Sequence, residues 1–315
     1  MTTTAPRRKS PGIPQLAPLP DGYGPDGRSE WLDIDWRRHL RSCTVNGARV
    51  NYVEMEPDDK SAARPPLVFV HGLAGCWQNW LENIPHFGRS RRVIAIDLPG
   101  FGESELPREE ISIPGYGRFV DAFLDKIGVA CASVVGNSMG GFIAAEVALS
   151  HPSRVDKLAL VSAAGLSTVP RTELALVKRL ARTFHLGTAR VIARRETMVR
   201  RRRLRKMLLY GVVRYPALLQ PELVYEIASG GGKPGFLDAF RAVLDYDFSD
   251  RVPKIERPTL VVWGRNDRIV PVGGAYRYER LIPGSRRVIF EDTGHVPMIE
   301  RPALFNQLLE EFLNE

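Results

Sequence analysis

The chain has 315 residues, enough for one large α/β domain or two ordinary ones. Apolar residues make up 44% and charged residues 25%, the balance of a globular protein, which excludes a disordered chain, a collagen and a coiled-coil rod. The net charge of +8 lies wholly within 166–250, where sixteen Lys and Arg stand against eight Asp and Glu, and the rest of the chain is balanced.

Residues 1–29 are rich in Pro and Gly and poor in large apolar residues, so they are expected to form a disordered tail. Arg7, Arg8 and Lys9 precede a Pro- and Gly-rich tract rather than an apolar stretch, so no signal peptide is read and a cytoplasmic location is expected. No apolar run approaches the roughly 18 residues of a membrane span. Residues 31–40 read as a short helix, and 42–45 and 49–55 as a hairpin about Asn46-Gly47. An alternation follows. Strands are expected at 67–70, 93–96, 132–135, 158–161, 259–263 and 287–290, and helices at 77–87, 116–127, 139–149 and 304–313. The continuous apolar strands indicate burial on both faces, hence an α/β fold with a mostly parallel sheet and helices on both sides.

That core is assigned to 30–165 and 251–315. The basic segment 166–250 interrupts it and is helical in character, with candidate helices at 172–184 and 236–244; it reads as a cap over one sheet edge. The glycines of 230–235 lack the spacing of a phosphate-binding loop and read as a flexible hinge of the cap. Cys43, Cys76 and Cys131 are odd in number, with no CxxC pair, so reduced thiols are expected rather than disulfides or a zinc site.

The sharpest motif is Gly136-Asn137-Ser138-Met139-Gly140-Gly141, a G-x-S-x-G between an expected strand and an expected helix. Small flanks permit a tight turn that exposes the Ser138 hydroxyl, and the helix N-terminus behind it offers unpaired N–H groups to a developing oxyanion. A serine nucleophile needs a base. Of six histidines, His295 follows the last expected strand, where loops beyond the carboxyl ends of parallel strands meet, so it is the expected base. Asp267, after the strand at 259–263, is the expected acid that orients it; an Asx turn is its other reading. The loop Ser162-Ala163-Ala164-Gly165 holds no competing carboxylate.

The order Ser138, Asp267, His295, with His71-Gly72-Leu73-Ala74-Gly75, Asp97-Leu98-Pro99-Gly100-Phe101-Gly102, Trp263-Gly264 and Gly294-His295, resembles the α/β-hydrolase superfamily across about 40–165 and 251–315. The resemblance implies an oxyanion hole from the backbone N–H groups of Leu73 and Met139; the sequence itself supports Met139, the residue after the nucleophile. His71 and Asp97 read as loop-structuring residues rather than catalytic ones. A serine at the elbow departs from the aspartate of haloalkane dehalogenases and epoxide hydrolases. The elbow is similar to that of hydrolases cleaving ring-fission dienoates, but Val296 stands where those enzymes usually carry Trp. Hydrolysis of a small-molecule carboxylic ester is therefore expected, without metal or organic cofactor. Carbon–carbon bond hydrolysis, or ligand binding without catalysis, are the alternatives.

The run Arg200-Arg201-Arg202-Arg203-Leu204-Arg205-Lys206 is followed by Met207, Leu208 and Leu209. It reads as a solvated helix face, as a contact for an anionic membrane surface, or as a site for an anionic substrate group. No interleaved aromatic platform or binding motif supports a nucleic-acid partner.

Overall fold

The computed structural model describes residues 22–57, 64–166, 196, 199 and 201–315. Its single sheet has eight strands: β1 (Leu40–Val45), β2 (Ala48–Met55), β3 (Leu67–Val70), β4 (Val93–Ile96), β5 (Ala132–Asn137), β6 (Val155–Val161), β7 (Thr259–Gly264) and β8 (Arg286–Phe290). They lie in the order β1-β2-β4-β3-β5-β6-β7-β8. The hairpin β1–β2 is antiparallel, β2 pairs antiparallel with β4, and all later neighbours are parallel. The hairpin turns on Asn46 and Gly47, both at positive φ, as an Asn-Gly turn requires.

Every residue of β3, β4, β5 and β7 is buried because helices cover both faces. Side chains alternate between two cores. Val68, Val70, Ile94, Ile96, Val134 and Leu160 face α2 (Ile113–Lys126) and α3 (Met139–Ser150). Leu67, Phe69, Val93, Ala95, Val135 and Val161 face α1 (Ile84–Gly88) and the C-terminal helix. Each fully buried side chain of this size stabilises the fold by about 1.5–3 kcal/mol. Helix α3 is apolar on every face save for Glu146 and is buried from Met139 to Ala148, as befits a helix enclosed by sheet and neighbours.

Between β6 and β7 lies an insertion whose described helices are α4 (Arg202–Leu208), α5 (Pro221–Ile227) and α6 (Phe236–Asp245). The helix expected over 172–184 lies outside the described residues. Gly230 and Gly235 are close-approach positions: an added Cβ would stand 2.6 Å from the Ala74 carbonyl oxygen and 2.9 Å from that of Gly100. The Gly235 N–H also donates to Gly100 O at 3.0 Å, so these glycines dock the insertion onto core loops. The insertion returns to the core over 246–251. There Phe248 packs on Phe142 with centroids 4.4 Å apart, and Tyr246 and Arg251 both donate to the buried Glu146 of α3, at 2.8 and 3.0 Å.

After β7 come α7 (Gly273–Leu281), α8 (Pro297–Glu300) and α9 (Pro302–Asn314). Helix α7 was not expected: two glycines open it and its buried side chains are only Ala275 and Tyr278. Two other expectations need correction. Residues 31–40 form two 3-10 turns (Glu30–Asp33 and Trp36–Arg38), because Leu40 is already paired with Val53 in the hairpin. Residues 77–87 break likewise into a 3-10 turn (Trp77–Trp80) and α1.

The expected tail over 1–29 also ends sooner. Ser29 is 3% exposed and donates to Glu82 at 2.7 Å, and the Gly24 N–H donates to Glu300 O at 2.7 Å. Residues 1–21 lie outside the described ones. Among the described residues no helix is long and apolar enough to cross a membrane.

Candidate active site

Strand β5 runs directly into Ser138, the N-cap of α3, at φ 56° and ψ −118°. A non-glycine residue in that region costs about 1–3 kcal/mol, which the surroundings must offset. They do so by excluding volume. A Cβ on Gly136 would lie 2.1 Å from Gly140 O, and one on Gly140 would lie 2.2 Å from Val70 O. Strand and helix therefore approach more closely than side chains allow. The Ser138 N–H donates to Val161 O at 2.9 Å, and Ser138 O accepts from Phe142 N and Ala164 N at 3.1 and 3.0 Å. Met139 is the first residue of α3, where a backbone N–H has no intrahelical acceptor.

His295 is 6% exposed, and its Nδ1 lies 2.8 Å from Asp267 Oδ2. The other oxygen, Asp267 Oδ1, accepts from the N–H groups of Ile269 and Val270, both at 2.9 Å. One Asp267 oxygen thus closes an Asx turn while the other meets the imidazole. With Nδ1 donating, Nε2 of a neutral ring is left as an acceptor. The loops after β7 and β8 are locked face to face, since a Cβ on Gly264 would stand 1.9 Å from Gly294 O. Asn137, next to Ser138, donates through Nδ2 to His295 O at 3.2 Å and to Val161 O at 3.1 Å. Ser138 and the His295–Asp267 pair thus share one loop cluster. No hydrogen bond between the Ser138 hydroxyl and the imidazole figures among the contacts of the described residues.

The loop after β3 closes the cluster from the other side. A Cβ on Gly72 would lie 3.0 Å from Ser138 Cβ, so half-buried Leu73 follows directly beside the serine. Ala74 is at φ 58°, and the Gly75 N–H turns back to Gly72 O at 3.0 Å. His71 is fully buried and fixes this loop: Nδ1 donates to Gly72 O at 2.7 Å and Nε2 accepts from Leu98 N at 3.0 Å. Burial lowers its pKa to about 4, so it is neutral at pH 7. Asp97 accepts from Trp77 N, Asn51 Nδ2 and Glu103 N at 2.8, 2.8 and 3.0 Å, while burial pushes its carboxyl up. Both are loop-structuring residues, as read from the sequence.

Sequence reasoning missed Glu300. Its carboxylate is fully buried and accepts from the N–H groups on either side of His295, those of Gly294 and Val296. An acidic residue within the apolar turn Pro297-Met298-Ile299 was the available signal. Among the described residues no group of three or more His, Cys, Asp or Glu is placed to hold a metal ion.

Comparison with known proteins bears on the family and the fold. A family profile described as alpha/beta hydrolase fold matches residues 65–302. A dihydrolipoyllysine-residue acetyltransferase component of an acetoin cleaving system from Cupriavidus necator is 30% identical over 85% of this chain and 67% of its own length. A 2-hydroxymuconate semialdehyde hydrolase from a Pseudomonas species is 31% identical over 81% of this chain and 89% of its own. Among solved structures, a bacterial membrane phospholipase A superimposes with a TM-score of 0.66 at 30% identity, covering 87% of this chain and 85% of that one.

Proposed function

The chain belongs to the α/β-hydrolase family, and from that premise we propose that it is a serine hydrolase cleaving a carboxylic ester through an acyl-enzyme intermediate. The observation that carries the reading is the 2.8 Å bond from His295 Nδ1 to Asp267, which leaves Nε2 as a proton acceptor in the same loop cluster as Ser138. Ser138 Oγ attacks the ester carbonyl while His295 Nε2 takes its proton. The backbone N–H groups of Leu73 and Met139 stabilise the tetrahedral oxyanion. The imidazolium, stabilised by Asp267, then protonates the departing alkoxide, and the alcohol leaves. Water repeats the sequence on the acyl-enzyme, giving up a proton to His295, and collapse releases the acid with Ser138 reprotonated. No cofactor enters these steps. The β6–β7 insertion, seated on Ala74, Gly75 and Gly100, acts as the cap that selects the substrate.

Two measurements test this. A fluorophosphonate probe should label wild-type protein and not Ser138→Ala, and p-nitrophenyl esters of increasing chain length should be turned over. Cleavage of a ring-fission dienoate with no ester turnover would move the reading to carbon–carbon hydrolysis. Absence of both labelling and turnover would make the protein a ligand binder on a hydrolase fold.

The basic face of the insertion adds an anionic lipid surface as a partner. Arg201, Arg203 and Lys206 are exposed, Tyr210 is 69% exposed with the Arg268 guanidinium 5.5 Å from its ring centre, and Ile269 is 52% exposed. Basic side chains beside exposed Tyr and Ile suit a headgroup layer. Arg205 does not take part: it is buried and donates to Val199 O at 2.6 Å. Arg200 lies outside the described residues. Replacing Arg201 and Arg203 with Gln should weaken cosedimentation with anionic vesicles by about 1 kcal/mol per charge, and raised salt should weaken the wild type likewise. Equal binding by both proteins at low salt would return these side chains to a solvated face.

A further inference from the structure

Three consecutive N–H groups run through the histidine loop, and each has a defined acceptor. Gly294 N–H donates to both oxygens of Glu300, at 2.9 and 3.0 Å, and Val296 N–H donates to Oε1 at 3.3 Å. The His295 N–H points elsewhere, to Val212 O in the insertion at 2.8 Å. Two residues further along, Arg214 N–H donates to Glu300 Oε2 at 2.7 Å. Tyr215 N–H then donates to the Tyr23 hydroxyl at 3.0 Å, and that hydroxyl donates to Glu300 Oε2 at 2.9 Å. The rings of Tyr23 and Tyr215 pack edge to face, with centroids 5.2 Å apart. The histidine loop, the insertion and the N-terminal segment therefore meet on one fully buried carboxylate.

We propose that Glu300 is a positioning residue for His295, that it ties the imidazole's placement to the seating of the insertion, and that Tyr23 is the latch holding this tie. The inference rests on His295 being the base. The argument is one of donors and acceptors. Four groups donate to Glu300: the N–H groups of Gly294, Val296 and Arg214, and the Tyr23 hydroxyl. A carboxylate has lone pairs for all four, whereas an amide has one oxygen and would turn an NH2 toward other donors. Such a change does not remove a contact with substrate. It shifts the backbone that carries the imidazole, and misplacement by about 1 Å suffices for a 100-fold loss of rate. Because Val212 O and Arg214 N hold the two sides of the same loop, movement of the insertion pulls on the base directly.

The test uses the full chain and a short p-nitrophenyl ester, with melting temperature and fluorophosphonate labelling of Ser138 recorded in parallel. Glu300→Gln should lower kcat by about 10- to 100-fold. KM should stay within about twofold, because only interactions shared by ground and transition states set it. Tyr23→Phe, which removes one hydroxyl and leaves the ring, should give a smaller loss in the same direction, about 3- to 10-fold in kcat and in labelling rate. The double variant should be no slower than Glu300→Gln alone, because both act through one network. Unchanged kcat in Glu300→Gln, beside an inactive His295→Ala, would overturn the positioning role. So would a Tyr23→Phe variant with wild-type kcat and labelling, and this variant decides the matter if Glu300→Gln does not fold. A fully active His295→Ala would instead overturn the underlying assignment of the base.

Discussion

Around Ser138 a single added carbon on Gly136, Gly140 or Gly141 would meet another atom within 2.1, 2.2 or 2.6 Å. Around His295 one close approach, 1.9 Å from an added carbon on Gly264 to Gly294 O, is joined by hydrogen bonds to Asp267 through the ring and to Glu300 and Val212 through the backbone. Ser138 is thus held by the absence of side chains, inside an apolar strand–helix junction that is local in sequence. His295 is held in addition by polar partners at Asn137, Val212, Asp267 and Glu300. A volume change should ruin the first region and a lost acceptor the second.

The largest effects should fall on Ser138 and His295, the proposed reacting groups, where the two regions should be equally intolerant. Ser138→Ala and His295→Ala should each reduce kcat by about 10^6-fold without altering the melting temperature, since the members act as a unit. Asp267→Asn should lose about 10^4-fold through the wrong imidazole tautomer. Ester kinetics with purified protein measures both, and a Ser138→Ala enzyme that still turned over would remove the basis of the comparison.

Next comes volume. Gly140→Ala drives a Cβ toward the Val70 carbonyl, which is backbone and cannot rotate away, so stability should fall by about 3 kcal/mol in urea unfolding. Stability loss of this kind at Glu300→Gln, with no kcat change, would erase the distinction between the two regions.

The third effect is pH. His71 has its folded pKa lowered to about 4 by burial, against about 6.5 for an unfolded histidine. The unfolded state therefore binds the extra proton first as pH falls, so this residue withdraws up to about 3 kcal/mol of stability between pH 6.5 and 4 and has no effect above pH 7. A histidine titration by NMR should find its ring neutral down to about pH 4. A midpoint near 6.5 would mean that the loop beside the elbow opens to water. The smallest effect belongs to Asn137→Ala, which severs the side-chain link from the elbow to His295 O. A cost of about 1–2 kcal/mol is expected there, read from the same unfolding curves.

The two regions also differed in how far they could be read in advance. The elbow is a short-range pattern: strand, tight turn and helix occupy adjacent residues, and continuous apolar runs such as Leu67–Val70 mark strands buried on both faces. Asp267 and His295 were singled out because each follows an expected strand, and the structure brings them to 2.8 Å. Glu300 was not, because two of its partners lie as far off as positions 23 and 214, and its apolar neighbours Pro297-Met298-Ile299 were the one local sign of burial. Helix α7 was missed for the opposite reason: tertiary packing of Ala275 and Tyr278 overrides a glycine-rich start. Residues 23–29 looked too polar to order, yet their groups are satisfied one by one by Glu300, Tyr215, Glu82 and Gln220.

The return of the insertion through Tyr246 and Arg251 to Glu146 bears on how such a protein could be given a new specificity. Helix α3, which starts just after Ser138, carries near its other end the carboxylate that receives the insertion's last turn. A chimaera that exchanged the insertion with a junction before residue 246 would keep all three partners on the recipient's side. A junction placed after 251 would import foreign residues opposite Glu146, whose side chain is 3% exposed and would keep Ser150 of its own helix but lose Tyr246 and Arg251, at a cost of about 1–3 kcal/mol. The unit that can be transplanted is thus shorter than the interval between the two strands, and its boundary is set by one glutamate on a helix that never leaves the core.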